Sequence, residues 1–132
     1  MAELALTRAS SAPAAARDWL TSSFEGRLER PELDQAKLLV SELVSNSVRH
    51  GLGDITVRAE LDEERLLVEV MDEGSGVERE IRKRDFDAVG GWGLTIVDAV
   101  ASRWGIHEGT THVWFEVERP GPRLGPEGKP SS

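Results

Sequence analysis

The chain has 132 residues, 39% of them hydrophobic, with a formal net charge of −8 and no cysteine. That is about one domain with a modest core, and an acidic surface repels phosphate backbones, which argues against direct nucleic-acid binding. The lack of cysteine excludes a disulfide framework or a thiolate zinc site and fits a reducing cytoplasm, and no apolar run approaches the roughly 18 residues of a membrane span.

Ala2 to Ala16 is alanine-rich but has no basic start and no long apolar stretch, so it does not read as a signal peptide. Leu4 and Leu6 alternate with polar neighbours and predict a short strand ending near Ser10 and Ser11. Pro13 suits a first helical turn, and Ala14 to Leu28 reads as a helix whose apolar residues Ala16, Leu20, Phe24 and Leu28 recur every four positions, with Gly26 weakening its end. Pro31 opens a second helix that runs to about His50, where Gly51 and Gly53 stop it. Ile55, Val57, Ala59 and Leu61 form a half-buried strand, Asp62-Glu63-Glu64 a turn, and Leu66 to Met71 the returning strand.

Residues 73–90 are glycine-rich, charged and aperiodic and read as a loop. Gly93 to Arg103 reads as a third helix. Trp104–His107 and His112–Arg119 are the last two strands, around a turn at Glu108-Gly109, with Trp104 and Trp114 expected in the core. From Pro120 the chain is Pro, Gly and polar residues and is expected to be a disordered tail over 120–132 behind a domain spanning 1–119.

Three short blocks carry chemistry. On the second helix, Glu42, Asn46 and Arg49 lie at i, i+4 and i+7, off the apolar stripe of Leu33, Ala36, Val40, Leu43 and Ser47. Asn46 offers a neutral oxygen suited to a hard cation, and Glu42 can accept a proton from a hydroxyl. The same pattern also describes an ordinary solvated flank, although Asn is a poor mid-helix residue. Asp72, at a strand end before Glu73-Gly74-Ser75-Gly76, can accept a hydrogen bond from an exocyclic amine while Gly74 and Gly76 let the backbone approach a flat ring; these residues also make a good turn. Gly90-Gly91-Trp92-Gly93 precedes a helix, where free N–H groups favour an anion, or where glycines merely cap.

No P-loop ending follows these glycines, and Gly128-Lys129-Pro130 has no strand before it. The run Arg79-Glu80-Ile81-Arg82-Lys83-Arg84 holds four of the 16 basic residues and could hold triphosphate charge or be a solvated loop. The three histidines are scattered and do not make a metal site.

In this order and on these elements, the blocks resemble the N, G1 and G2 boxes of the ATPase superfamily of gyrase, Hsp90, histidine kinases and MutL. The resemblance covers about residues 4–118 and is strongest to the bacterial anti-sigma factor serine kinases. Ala12-Pro13-Ala14-Ala15-Ala16-Arg17, the run from Leu39 to His50, Val100-Ala101-Ser102-Arg103-Trp104-Gly105 and Val113-Trp114-Phe115-Glu116 carry it. It implies an α+β two-layer sandwich, a mixed and mostly antiparallel sheet with helices on one face. It also implies binding of ATP and Mg²⁺, with Asn46 as metal ligand and Glu42 as base toward the acceptor hydroxyl. Asp72 would bind the adenine amino group beside Gly74 and Gly76, and Gly91, Gly93 and the N–H of Leu94 would contact phosphates. Thr111, or its neighbours Thr110 or His112, would lie near adenine. Two departures stand out: the lid between Gly76 and Gly91 is short, and Trp92 stands where a smaller or polar residue is expected.

The implied function is a cytoplasmic ATP-dependent serine/threonine kinase that sequesters a sigma factor, phosphorylates an anti-sigma factor antagonist and so regulates transcription. Homodimerisation is a further implication of the resemblance. The alternative, which Trp92 motivates, is a nucleotide-gated binding module without kinase activity. A detached ATP-binding half of a histidine kinase is a third reading, disfavoured because no helix pair with an acceptor histidine precedes the domain.

Overall fold

Alternation along the strands assigns the two faces of the sheet before any contact is considered. The computed structural model describes residues 1–74, 94–106 and 112–119. In chain order these form β1 (Ala2–Leu6), α1 (Ala12–Phe24), α2 (Arg30–His50), β2 (Ile55–Leu61), β3 (Arg65–Met71), α3 (Leu94–Val100), β4 (Arg103–Ile106) and β5 (Val113–Glu118). The strands order as β1-β2-β3-β5-β4, and every pairing among them is antiparallel. The architecture is the expected α+β sandwich.

Register carries the pattern across the sheet. Leu4 faces Val57, Val57 faces Val70, Val68 faces Phe115 and Phe115 faces Trp104, so one apolar layer runs from edge to edge. The helices cover that layer. α1 contributes Ala12, Ala16, Leu20 and Phe24 at four-residue spacing, and α2 buries Leu33, Ala36, Leu39, Val40, Leu43 and Val44. The buried face of α2 is therefore wider than the expected stripe, and Ser47 at its end is only half-buried. Each fully buried Leu, Val or Phe contributes about 1.5–3 kcal/mol, so this layer dominates the stability. A guanidinium nitrogen of Arg17 donates to Ser41 Oγ at 2.7 Å and ties α1 to α2.

The opposite face is polar. Arg58 pairs with Glu3, His112 with Glu69, and Glu116 with both Arg65 and Arg103. Arg58–Glu3, exposed on both sides, is worth about 0–1 kcal/mol. Trp114 belongs to this face, not to the core: Phe115 and Val117 point inward, so their neighbour must point outward. Its ring lies 5.7 Å from the Arg103 guanidinium, over Gly105, whose missing Cβ leaves room for the indole. Trp104 does pack against the core, and its indole N–H donates to Asp98 at 2.9 Å.

Two helices end earlier than periodicity predicts. α1 stops at Phe24 because Glu25 is already extended, at ψ 131°, and Gly26 takes φ +84°. Leu28 is still buried, as its spacing suggested, but it reaches the core from the turn. α3 stops at Val100, not Arg103. The Ala101 N–H closes onto the Val97 carbonyl, and the Ser102 N–H goes to Glu116 on β5, so Arg103 is captured as the first residue of β4. The β2–β3 turn forms as expected, with Asp62 Oδ1 accepting the N–H groups of Glu64 and Arg65 at 2.7 and 2.8 Å.

Those two bonds, then the charges of Arg65 and Arg119, hold the Asp62 carboxyl below its ordinary 3.8. A carboxyl lowered on folding stabilises the fold above its unfolded pKa, and that stabilisation is lost as pH falls through the folded value. Asp62→Ala is therefore expected to lower the Tm at neutral pH. The gap to the wild type should close in thermal melts carried below pH 3.8.

Candidate functional site

α2 is long because its sequence suits both ends. Pro31 lies in its first turn with Glu32, and Arg49 and His50 occupy its last turn, where positive charge meets the negative end of the helix dipole. Its C-terminal half carries the polar flank. Glu42 and Asn46 are both half-buried, and Arg49 donates to Asn46 Oδ1 at 2.9 Å, so the Asn46 and Arg49 side chains meet on that flank.

The helix closes at Gly51, whose N–H donates to the Ser47 carbonyl at 2.8 Å. The chain then crosses to the end of β3. The Leu52 carbonyl accepts the Glu73 N–H at 2.8 Å, and Asp72 Oδ1 accepts the Gly74 N–H at the same distance. Asp72 therefore sits directly against the C-terminus of α2. α3 begins at Leu94 and packs on α2 through Val97, which is fully buried.

Of the expected site residues, Glu42 and Asn46 lie on α2, Asp72 and Gly74 follow β3 beside the C-terminus of α2, and Leu94 opens α3, which packs on α2. Gly76, Gly91, Gly93 and Thr111 lie outside the described residues, as do Trp92, the basic run Arg79–Arg84, His107, the Glu108-Gly109 turn and the tail 120–132. Sequence reasoning took Gly51 and Gly53 as helix stops only. The structure gives each a neighbour: a Cβ at Gly51 would strike the Asp72 carboxylate, and one at Gly53, where φ is +68°, would strike that of Glu73. The pair of glycines directly after a polar helix flank was the available signal.

Among the described residues no group of His, Asp and Glu could hold a metal by itself. The Asn46 carboxamide oxygen is a hard neutral donor of the kind Mg²⁺ takes, but in this structure it accepts a hydrogen bond from the Arg49 guanidinium, which a bound cation would have to displace. No helix among the described residues is long and apolar enough to cross a membrane.

Residues 5–117 match the histidine kinase-like ATPase domain family. Over 63 residues the chain is 43% identical to an anti-sigma F factor of Clostridium acetobutylicum, covering 43% of this chain and 44% of that protein. Over 84 residues it is 32% identical to the serine-protein kinase RsbW of Listeria innocua, covering 52% of this chain and 54% of that one. The chain thus spans about half the length of the curated relatives it matches. The crystal structure of the RsbU and RsbW domains of Rv1364c from Mycobacterium tuberculosis superposes with a TM-score of 0.59 at 18% identity, over 90% of this chain and 32% of that chain, a likeness of fold. With nearly the whole ordered sandwich inside the family match, the chain belongs to the histidine kinase-like ATPase domain family.

Proposed function

We propose that this protein is an ATP-binding anti-sigma factor that phosphorylates a Ser or Thr of an anti-sigma factor antagonist and thereby regulates transcription. The observation that carries the reading is the juxtaposition of Asp72 with the end of the helix that bears Glu42 and Asn46. The relatives named anti-sigma F factor and serine-protein kinase supply the kind of partner and acceptor. A sigma factor and its antagonist are the protein partners of this reading, and a homodimer is part of it.

Asp72 accepts the exocyclic N–H of adenine, with Gly74 and Gly76 beside the ring and Thr111 near it. Gly91, Gly93 and the Leu94 N–H bind phosphate oxygens. Asn46 would hold Mg²⁺, which when bound supplies charge neutralisation at the triphosphate. Glu42 takes the proton of the acceptor hydroxyl as that oxygen bonds to the γ-phosphorus and the bond to the bridging β–γ oxygen breaks, releasing ADP. Positioning and charge carry such a transfer, and the chain has the groups for both.

A calorimetric titration with ATP, with and without Mg²⁺, tests the site. Saturable binding is expected, weakened by omission of Mg²⁺ and by about tenfold or more in Asp72→Asn, since a hydrogen bond to a charged group is worth about 1.5–3 kcal/mol. Folded protein that binds no ATP would sink the kinase reading.

A further inference from the structure

We propose that Gly51 is a positioning residue for recognition of the nucleotide base: its missing side chain opens the slot in which the Asp72 carboxylate rests against the end of α2. The inference rests on the reading of Asp72 as the group that binds adenine. Backbone conformation does not explain the glycine. Gly51 has φ −89° and ψ −174°, which any residue adopts. Space explains it. A Cβ built there would clash with Asp72 Oδ2 and would stand 2.8 Å from Asp72 Cγ and 2.6 Å from the Ser47 carbonyl oxygen.

Asp72 has little freedom to retreat. Its Oδ1 holds the Gly74 N–H, its backbone follows directly from β3, and the next residue is fixed by the bond from the Glu73 N–H to the Leu52 carbonyl. Nor can the Ser47 carbonyl give way freely, because it accepts the Gly51 N–H at 2.8 Å. A methyl group at position 51 must therefore rotate the carboxylate off its Gly74 contact or part the end of β3 from α2. Either change moves the acceptor oxygens relative to Asn46, one turn back on the same helix. Gly53 differs. It also faces a carboxylate, that of Glu73, but its φ of +68° favours glycine on backbone grounds alone.

The test compares ATP with ITP, which replaces the exocyclic amine of the base by a carbonyl. Equilibrium titration of each nucleotide with wild type, Gly51→Ala, Asp72→Ala and the double variant is combined with chemical denaturation of all four. Wild type is expected to prefer ATP by at least about tenfold, the scale of a lost charge-assisted hydrogen bond. Gly51→Ala is expected to lose most of that preference, and to lose none further when Asp72 is already Ala. Truncating Asp72 removes two of the three obstructing atoms. Gly51→Ala should therefore cost less stability in the Asp72→Ala background than in the wild type, a comparison that sets aside the Gly74 hydrogen bond lost with Asp72 itself.

A Gly51→Ala protein that keeps the wild-type ATP/ITP ratio overturns the inference. So does a stability cost of Gly51→Ala that is the same with Asp72 and with Ala at position 72, because the Ser47 carbonyl would then account for the whole effect and Gly51 would be a helix cap. A wild type that binds ATP and ITP equally defeats the reading of Asp72 itself, and with it the inference, before any change at Gly51 is made.

Discussion

Glu42→Gln is expected to slow single-turnover phosphorylation of the antagonist by about 10²–10⁴-fold, the usual contribution of a positioned general base, while changing the affinity for ATP by no more than about twofold. The substitution keeps the shape of the side chain and its place on the half-buried flank of α2, and removes only the capacity to take a proton. Glu42 lies one turn before Asn46, so the acceptor hydroxyl would approach between the base and the bound triphosphate. The comparison with Asp72→Asn separates the roles: loss at Asp72 falls on binding, loss at Glu42 on transfer. The readout is phosphoprotein formed per mole of enzyme, with ATP affinity measured on the same preparations. Unchanged transfer by Glu42→Gln removes Glu42 from the chemistry. A wild type that binds its partner tightly only with ATP and forms no phosphoprotein favours the nucleotide-gated module instead.

The elements that periodicity could reach were legible because one physical rule governed each. β2 and β3 alternate over a seven-residue span apiece, with the turn residues between them, and the structure pairs them as a hairpin. α2 combined an apolar stripe with Pro31 at one end and glycines at the other. What failed were endings decided by tertiary partners. Leu28 kept the helical spacing of α1 and is buried, yet Gly26 had already turned the chain. Val100 to Arg103 continued a helical pattern, but the Glu116 carbonyl offered Ser102 a sheet bond and β4 began.

Strand order was not legible at all: nothing local states that β5 pairs with β3 and leaves β4 at the edge. At the site, the residue types that bind and react were visible as motifs. Their seating was not, because a glycine chosen for a neighbour's carboxylate, such as Gly51, reads the same in sequence as one chosen to end a helix.

Phe115→Ala carries the largest expected loss of stability, about 3–5 kcal/mol, because removing a buried aromatic forfeits its transfer energy and leaves a cavity that the surroundings fill only in part. Phe115 is fully buried, and it faces Val68 on β3 and Trp104 on β4 across the pairings of β5, so its ring joins strands from the middle of the sheet to its edge. A domain of this size holds about 5–15 kcal/mol in all, and such a loss takes much of it. Trp114→Ala, one residue away on the polar face, removes chiefly the Arg103 contact and is expected to lose about 1 kcal/mol. Urea denaturation of the two variants reads this contrast, and a larger loss at Trp114 than at Phe115 would reverse the assignment of the faces. The strand that Phe115 braces, β3, ends at Met71, the residue before Asp72, so the fold that Phe115 stabilises is the one that seats Asp72. ATP at a hundred times its Kd should therefore return about 2.7 kcal/mol to the Phe115→Ala protein, because only the folded sandwich holds Asp72 against α2.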